Sequence, residues 1–296
     1  MSQTPNRHLE DDEPWIIDAG SSNIRILREV VDVRQFVRQK VPVEPVRQIA
    51  LIDVECTGLD PLVDQIIDLA YIVIALDDAD DIVGIVCAEQ ALCDPMMPIP
   101  PRVSLLTGLT DEIVANKAID LDRVEWDLQA VDVFVAHNCA YDLSFVGQLL
   151  PFTQAAPWAC SLSDFDWLRD AGLSAKALGH LLMEIGFYHD GHRAMADVVA
   201  LLHILSYRLE NGRTVLSCLL ENAEQDSFRV EAVGAPYSSR FQLKARGYRW
   251  DPKTKLWWKE IAEAELEDEE LWLARNVVPH GPAPRLTRIT WRERHR

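Results

Sequence analysis

The sequence predicts an α/β fold with a smaller α+β unit towards its C-terminal end. Apolar segments of strand length alternate with segments whose apolar residues recur at helical spacing, which is typical of a sheet flanked by helices. A chain of 296 residues allows one large domain and one small domain. A hydrophobic content of 48% and a charged content of 26% are those of a globular protein with a full core.

The overall charge argues against a protein coated in basic residues for binding duplexes. The chain has 29 basic and 47 acidic residues, which gives a formal net charge of −18. Its six cysteines show neither a CxxC motif nor zinc-ligand spacing, which fits a reducing compartment. The polar start has no apolar signal region, and the longest apolar run, Leu69 to Leu76, is too short to cross a bilayer. We therefore expect a cytoplasmic protein with no membrane contact.

The first 46 residues form an N-terminal extension. Its beginning is polar and acidic, and the apolar spacing from Ile24 to Val37 predicts a helix. The segment Val41 to Pro45 is expected to be a linker, because proline removes a backbone donor and favours extended backbone before it.

Residues 47–212 form the predicted main domain. Its strands are expected at Leu51–Glu55, Gln65–Leu76, Ile82–Leu92, Val131–Ala136 and Trp158–Ser161. Helical spacing predicts helices over Leu121–Gln129, Tyr141–Leu150, Leu162–Arg169, Ser174–Ile185 and Arg193–Leu209.

A connecting helix is predicted within residues 213–227, followed by a small basic and aromatic α+β domain over 228–275. An Asp251-Pro252 turn between aromatic segments indicates a hairpin there. Residues Glu260 to Ala274 are expected to form an acidic helix, and residues 276–296 an Arg-rich tail.

Two acids of the first strand, Asp53 and Glu55, are two residues apart. Side chains at this spacing project from the same face of a strand, while Ile52 and Val54 point to the other face. Paired carboxylates repel each other unless a cation neutralises them, and an oxygen-rich site suits Mg²⁺ or Mn²⁺. An isolated pair is more often two solvated acids, so the pair indicates a site only if other acids converge on it.

Two further acids are expected near the ends of sheet strands. Asp142 lies in the first turn of a helix that follows a strand, which is where ligands collect in open α/β sheets. Asp197 lies in the early turns of the last long helix, five residues after His192. Together with Asp53 and Glu55 they can hold two divalent cations for phosphoryl chemistry, with His192 as a general base.

Three motifs carry a resemblance to a known family. They are the run from Asp53 to Leu59 (DVECTGL), the run from His137 to Phe145 (HNCAYDLSF), and the run from His192 to Asp197 (HRAMAD). Over roughly residues 47–210 the sequence resembles the DnaQ-like 3′→5′ exonucleases of the DEDDh type, which include the proofreading epsilon subunit of bacterial DNA polymerase III.

That resemblance implies an RNase H-like fold, with a mixed five-stranded sheet flanked by helices. It implies that Asp53, Glu55, Asp142 and Asp197 bind two Mg²⁺ or Mn²⁺ ions and that His192 deprotonates the attacking water. It also implies a role in substrate binding for Thr57, Gly58, Leu59, Asn138 and Phe145. Taken singly, Phe145 is more often a core residue, and His192 an exposed turn residue.

The charge reverses between residues 237 and 259. This segment contains seven basic residues and one acid, and aromatic residues are interleaved with the basic ones. The segment is a candidate for an extra nucleic-acid contact, because basic groups neutralise phosphates and aromatic faces stack on unpaired bases. The alternative is a small domain whose rings form its core and whose basic surface is paired with the acidic helix.

We therefore expect a metal-dependent 3′→5′ exonuclease that acts on single-stranded or frayed 3′ ends of DNA and releases 5′-mononucleotides. A 3′→5′ exoribonuclease is the alternative within the same class. A non-catalytic nucleic-acid-binding protein on a nuclease fold is the alternative from another class. The aromatic-basic segment favours a stand-alone DNA repair or processing nuclease. The sequence does not indicate which proteins, if any, bind to this one.

Overall fold

A computed structural model of the chain describes residues 25–30 and 46–296. The strands of these residues are β1 (Arg28–Glu29), β2 (Arg47–Cys56), β3 (Ile66–Leu76), β4 (Ile82–Leu92), β5 (Val133–Ala136), β6 (Trp158–Cys160), β7 (Phe187–Tyr188), β8 (Ser227–Glu231), β9 (Arg249–Asp251), β10 (Leu256–Ala262) and β11 (Arg285–Ile289). The helices are α1 (Pro101–Thr107), α2 (Asp111–Val114), α3 (Leu121–Leu128), α4 (Cys139–Leu149), α5 (Trp167–Ala171), α6 (Leu178–Glu184), α7 (Ala194–Leu205), α8 (Val215–Glu224), α9 (Arg240–Ala245) and α10 (Leu266–Asn276).

Five strands form the central sheet, in the order β4-β3-β2-β5-β6. Strand β2 pairs antiparallel with β3 and parallel with β5, and β5 pairs parallel with β6. The mixed five-stranded sheet expected from the resemblance is therefore confirmed. Every residue of β3 is buried, which explains why its sequence is an apolar run without alternation.

The two faces of β2 reach different core layers. Ile49 and Leu51 pack in a layer that contains the apolar face of α7. Ala50, Ile52 and Val54 pack in the opposite layer, with residues of α4. Because strand side chains alternate, the face of Ile49 and Leu51 continues to Asp53 and Glu55. The two acids therefore emerge on the side of the sheet that α7 covers.

The C-terminal unit is a four-stranded sheet, in the order β11-β8-β10-β9, covered by α9 and α10. The expected α+β unit and its aromatic hairpin are thus present. Residues 276–296 were expected to form an Arg-rich tail. Instead, residues 285–289 form β11, which pairs with the free edge of β8. Ion pairs of Arg285 with Glu231 and of Arg288 with Asp226 stabilise that edge.

Three other expectations differ from the structure. The helix expected over Ile24–Val37 lies partly outside the described residues, and its described part contains β1, which pairs in parallel with β7. The helix expected over Leu162–Arg169 begins only at α5, because Asp166 accepts a hydrogen bond from the Arg169 N–H and caps it there. The acidic helix expected from Glu260 begins later, since residues up to Ala262 continue β10 in its pairing with β8.

The stretch predicted to hold a connecting helix contains α8, whose apolar side packs into the core layer that contains α7. Among the residues that the structure describes, no helix has the length and apolarity needed to cross a membrane.

Candidate active site

Three of the expected acids converge at the end of β2. Carboxylate oxygens of Asp53, Glu55 and Asp197 lie within 4.8 Å of one another. Asp53 and Glu55 come from one face of β2, and Asp197 comes from the first turn of α7, which packs on that face. Within residues 25–30 and 46–296 this is the one cluster of acids, histidines or cysteines close enough to share a metal ion.

Asp142 reaches the same neighbourhood from the opposite layer. It lies in the first turn of α4 and is 2% exposed, and its Oδ1 accepts a hydrogen bond from the Val54 N–H at 3.2 Å. It is not one of the three acids within 4.8 Å of one another. Its negative charge nevertheless acts on Asp53, whose pKa it raises.

The cluster concentrates negative charge in a poorly solvated position. Burial is the main cause that raises the pKa of Asp53 well above its usual value, and repulsion from Asp142, Asp197 and other acids adds to it. Burial and repulsion from Asp197 and Asp68 likewise raise the pKa of Glu55 to about 7, against a smaller lowering by Arg193. A bound cation would relieve both effects.

The donor set fits a hard divalent cation. All of its ligand atoms are carboxylate oxygens, which suit Mg²⁺ or Mn²⁺, and no thiolate or imidazole is among the three clustered ligands. The raised pKa values of Asp53 and Glu55 are what unneutralised acids at such a site would show.

Asp197 is held in place by the segment before α7. The backbone N–H groups of His192 and Arg193 donate to its Oδ2 at 2.8 and 3.2 Å, and His189 Nε2 lies 2.9 Å from its Oδ1. His192 has a φ of 67°, a left-handed conformation that is uncommon outside glycine and folds the segment back over the helix start. This is the arrangement that the five-residue offset between His192 and Asp197 requires.

His192 borders a cavity beside the acids. The cavity has a volume of about 360 Å³, and its lining includes Asp197, His180, His189 and His192. His192 therefore lies next to Asp197, as expected, but it is His189 whose imidazole contacts that carboxylate. The sequence analysis missed His189, although a second histidine three residues before His192 was a usable signal.

Asp68 is a second residue that the sequence analysis missed. It is opposite Glu55 in the pairing of β2 with β3 and is 0% exposed. Gln90 Nε2 donates to its two carboxylate oxygens at 2.9 and 2.8 Å, and Arg193 Nε donates to Oδ2 at 3.2 Å. A lone acid inside the apolar run of β3 was the available signal, because a buried carboxylate needs partners.

The turn after β2 is fixed by its own side chains. Thr57 Oγ1 donates to Asp64 Oδ1 at 3.0 Å and accepts from the Gln65 N–H, and the Gly58 carbonyl accepts from the Tyr141 hydroxyl at 3.1 Å. A Cβ at Gly58 would lie 2.4 Å from an Asp64 carboxylate oxygen, so any larger residue there would have to displace the Asp64 side chain. Leu59 follows at the surface and is 83% exposed.

The remaining two expected substrate residues belong to the start and middle of α4. Asn138 adopts a left-handed φ of 77° directly before the helix. Phe145 is 3% exposed, and its ring packs 5.0 Å from that of Tyr141 within the core layer on this side of the sheet. As packed, Phe145 supports the site from behind and does not present its ring to a ligand.

The family model for RNase T-type exonucleases matches residues 50–205. The chain belongs to this exonuclease family. The matched region contains every acid of the cluster and His192, so the recognition of a DnaQ-like exonuclease domain in the sequence is confirmed.

Curated relatives of this exonuclease-family chain include proteins named for DNA polymerase III. DNA polymerase III PolC-type of Bacillus subtilis is 31% identical over 96 residues, which cover 32% of this chain and 6% of that protein. DNA polymerase III subunit epsilon of Treponema pallidum is 26% identical over 176 residues, which cover 55% of this chain and 79% of that protein. The chain thus spans only a small part of the PolC-type relatives.

Two of the solved structures to which the chain is similar are named as exonucleases. Exonuclease X in complex with 5′ overhanging duplex DNA has 20% sequence identity and a TM-score of 0.40, covering 57% of this chain and 99% of that chain. Exonuclease I of E. coli in complex with a dA13 oligonucleotide has 16% identity and a TM-score of 0.47, covering 83% of this chain and 64% of that chain.

Proposed function

We propose that this exonuclease-family chain is a metal-dependent 3′→5′ exonuclease that removes nucleotides from single-stranded or frayed DNA ends as 5′-monophosphates. The observation that carries the proposal is the convergence of carboxylate oxygens of Asp53, Glu55 and Asp197 within 4.8 Å, with Asp142 beside them. Two Mg²⁺ or Mn²⁺ ions would be held by these four acids. When bound, such ions neutralise charge on the phosphate and acidify water.

The protein's own residues would orient the reaction. His189 and the N–H groups of His192 and Arg193 fix both oxygens of Asp197, so this ligand needs no rearrangement to receive a cation. Asp142 is fixed through the Val54 N–H. The Thr57–Gly58 turn, tied to Tyr141, would set the position of the terminal nucleotide relative to these acids.

His192 is the proposed general base. It borders the cavity beside Asp197, and imidazole titrates near neutral pH, which suits proton removal from water. His189 has a different role, because its Nε2 already contacts Asp197 Oδ1. We assign His189 to positioning Asp197, so that the two histidines make separate contributions.

DNA is favoured over RNA as the substrate because two curated relatives bear the names DNA polymerase III PolC-type and DNA polymerase III subunit epsilon. The exoribonuclease alternative is retained as an arm of the experiment. A non-catalytic binding protein is disfavoured, since such a protein would have no need to keep four acids in one neighbourhood at the cost of raised pKa values for Asp53 and Glu55.

Digestion of end-labelled strands tests the proposal. DNA and RNA oligonucleotides labelled at the 3′ or the 5′ end are incubated with the full chain in Mg²⁺, in Mn²⁺ or in EDTA. We expect the 3′ label to be released first as a mononucleotide, with no release in EDTA. Asp197→Asn should abolish release, whereas Asp122→Asn, at an exposed position of α3, should not change it.

Two further variants separate the histidines. His192→Ala should lower kcat by roughly 10²–10⁴, as expected for loss of a general base. His189→Ala should instead raise the metal concentration required for half-maximal rate, since it loosens Asp197. Activity that survives EDTA or Asp197→Asn would overturn the proposed mechanism, and release of the 5′ label first would overturn the proposed direction.

A further inference from the structure

The C-terminal sheet carries aromatic side chains that its core does not need. Its core consists of apolar residues of β8, β10, α9 and α10 together with Tyr248, which is 2% exposed. Tyr237, Phe241 and Trp250 remain 79%, 68% and 49% exposed. The idea that the rings of this small unit serve only as its core is therefore correct for Tyr248 and wrong for these three.

Most of the basic residues in the same segment form no ion pair. Of the seven between residues 237 and 259, Arg246 and Lys259 pair with Glu269 of α10. Within the part of the chain that the structure describes, the other five make no ion pair: Arg240, Lys244, Arg249, Lys253 and Lys255. The acidic helix therefore pairs with two of the seven basic residues and leaves five without an ion pair, on a protein of net charge −18.

Rings and charges surround one recess. A cavity of about 270 Å³ is lined by Tyr237, Trp250, Lys255 and Trp257, with Gly234 in its wall. Trp250 and Trp257 are opposite each other in the β9–β10 pairing, and their ring centroids lie 5.6 Å apart. We call these residues, together with Arg240, the hairpin surface. The Arg240 guanidinium lies 4.1 Å from the centroid of the Tyr237 ring, which lines this recess.

We propose that the hairpin surface is a second nucleic-acid site that binds unpaired nucleotides of the strand being degraded. Bases would stack on Trp250 and Tyr237, and phosphates would be neutralised by Lys255 and Arg240. Stacking needs exposed base faces, which a duplex does not offer within its length, so the ligand is single-stranded. The choice of ligand rests on the proposed function, while none of the residues lining the recess belongs to the acid cluster.

The charge pattern favours this ligand over a protein partner. Lys255 lines the recess and Arg240 lies against Tyr237, and a docking site for an apolar peptide would have to desolvate these positive charges without a partner. Single-stranded nucleic acid supplies a phosphate for each cation and a flat ring for each aromatic side chain.

Binding without cleavage tests the inference. Full-length Asp197→Asn is titrated in EDTA against fluorescein-labelled oligo-dT of roughly 4 and roughly 16 nucleotides, the range of lengths that small single-strand sites contact, and anisotropy gives Kd. We expect Trp250→Ala to weaken binding of the longer strand by about tenfold, as for loss of one stacked base. Trp126→Ala, at a site 73% exposed on α3, should leave Kd unchanged.

The salt dependence gives an independent readout. Lys255→Gln should lower the slope of log Kd against log salt concentration by about 0.7, the value for one phosphate contact to a single strand. Trp250→Phe keeps an aromatic face and should retain most of the affinity, which separates loss of stacking from loss of folding. If Trp250→Ala and Lys255→Gln both bind the longer strand like the parent, the inference is overturned.

The binding experiment can fail or succeed independently of the cleavage experiment that tests the proposed function. Binding is measured in a chain that does not cleave, whereas cleavage is measured in the parent chain, in which Asp197 is intact. A chain that hydrolyses neither DNA nor RNA but binds long strands through Trp250 would refute the nuclease proposal and support the hairpin surface.

Discussion

The ionised side chain of Glu55 should destabilise the metal-free protein, and its replacement by glutamine should therefore stabilise it at neutral pH. Burial, with repulsion from Asp197 and Asp68, raises the pKa of Glu55 from 4.5 to about 7. Between these two values the folded protein binds more protons at this group than the unfolded chain. The free energy of unfolding therefore falls as the pH rises through this window.

The size of the effect follows from that pKa difference. Each pKa unit corresponds to about 1.36 kcal/mol, so a shift of 2.5 units would cost roughly 3.4 kcal/mol if the group were fully shielded. The Glu55 side chain is only partly buried, so solvent screens part of the repulsion and about 2 kcal/mol is a realistic cost. Glu55→Gln removes the charge and keeps the shape of the side chain, so the variant should gain about that amount at pH 8.

Urea unfolding in EDTA provides the measurement. The free energy of unfolding is determined for the parent and Glu55→Gln at pH 4.5 and at pH 8, with Glu125→Gln, an exposed acid of α3, as the control. The advantage of Glu55→Gln should grow by about 2 kcal/mol between the two pH values, and the control should show no such growth. An advantage that is the same at both pH values would refute the conclusion that the site strains the fold electrostatically.

Three other predictions concern the same region. Mg²⁺ at about 100 times its Kd should raise the free energy of unfolding of the parent by about 2.7 kcal/mol, and Asp53→Asn should lose most of this increase. Thermal and urea unfolding with and without Mg²⁺ measure both changes. Leu51→Ala, in the core below the site, should cost about 2–5 kcal/mol, whereas Leu59→Ala, on the exposed turn, should cost less than about 0.5 kcal/mol; equal losses in urea unfolding would contradict the core assignment. Arg193→Ala should lower the free energy of unfolding by about 1–3 kcal/mol, because it removes a hydrogen bond from the fully buried Asp68. An unfolding free energy equal to that of the parent would show that Gln90 alone satisfies this carboxylate.

The candidate site was largely predictable because its ligands sit at positions with local sequence signals. The period-two spacing of Asp53 and Glu55 fixes their common face as soon as the strand forms. Asp142 and Asp197 lie in the first turns of helices whose apolar spacing is evident in the sequence, and first-turn positions beside a sheet lie near its strand ends. These relations depend on residues that are close in the chain.

The residues that were missed depend on contacts between distant segments. Asp68 belongs to the site only because the register of β2 with β3 places it opposite Glu55, and a shift of one residue would turn it to the other face. His189 contacts Asp197, eight residues later, across a segment that contains the left-handed backbone at His192, and residue types alone do not indicate that contact.

The sequence by itself determined which acids the chain has for cation binding, the period that directs them to one face, and the reversal of charge near its C-terminal end. Tertiary structure alone decided that β11 completes the second sheet, that Tyr248 is buried while Trp250 is exposed, and that Glu269 neutralises Arg246 and Lys259. The reason is physical. Periodicity fixes the direction of a side chain relative to its own strand or helix, but burial and charge pairing depend on what other segments pack against it.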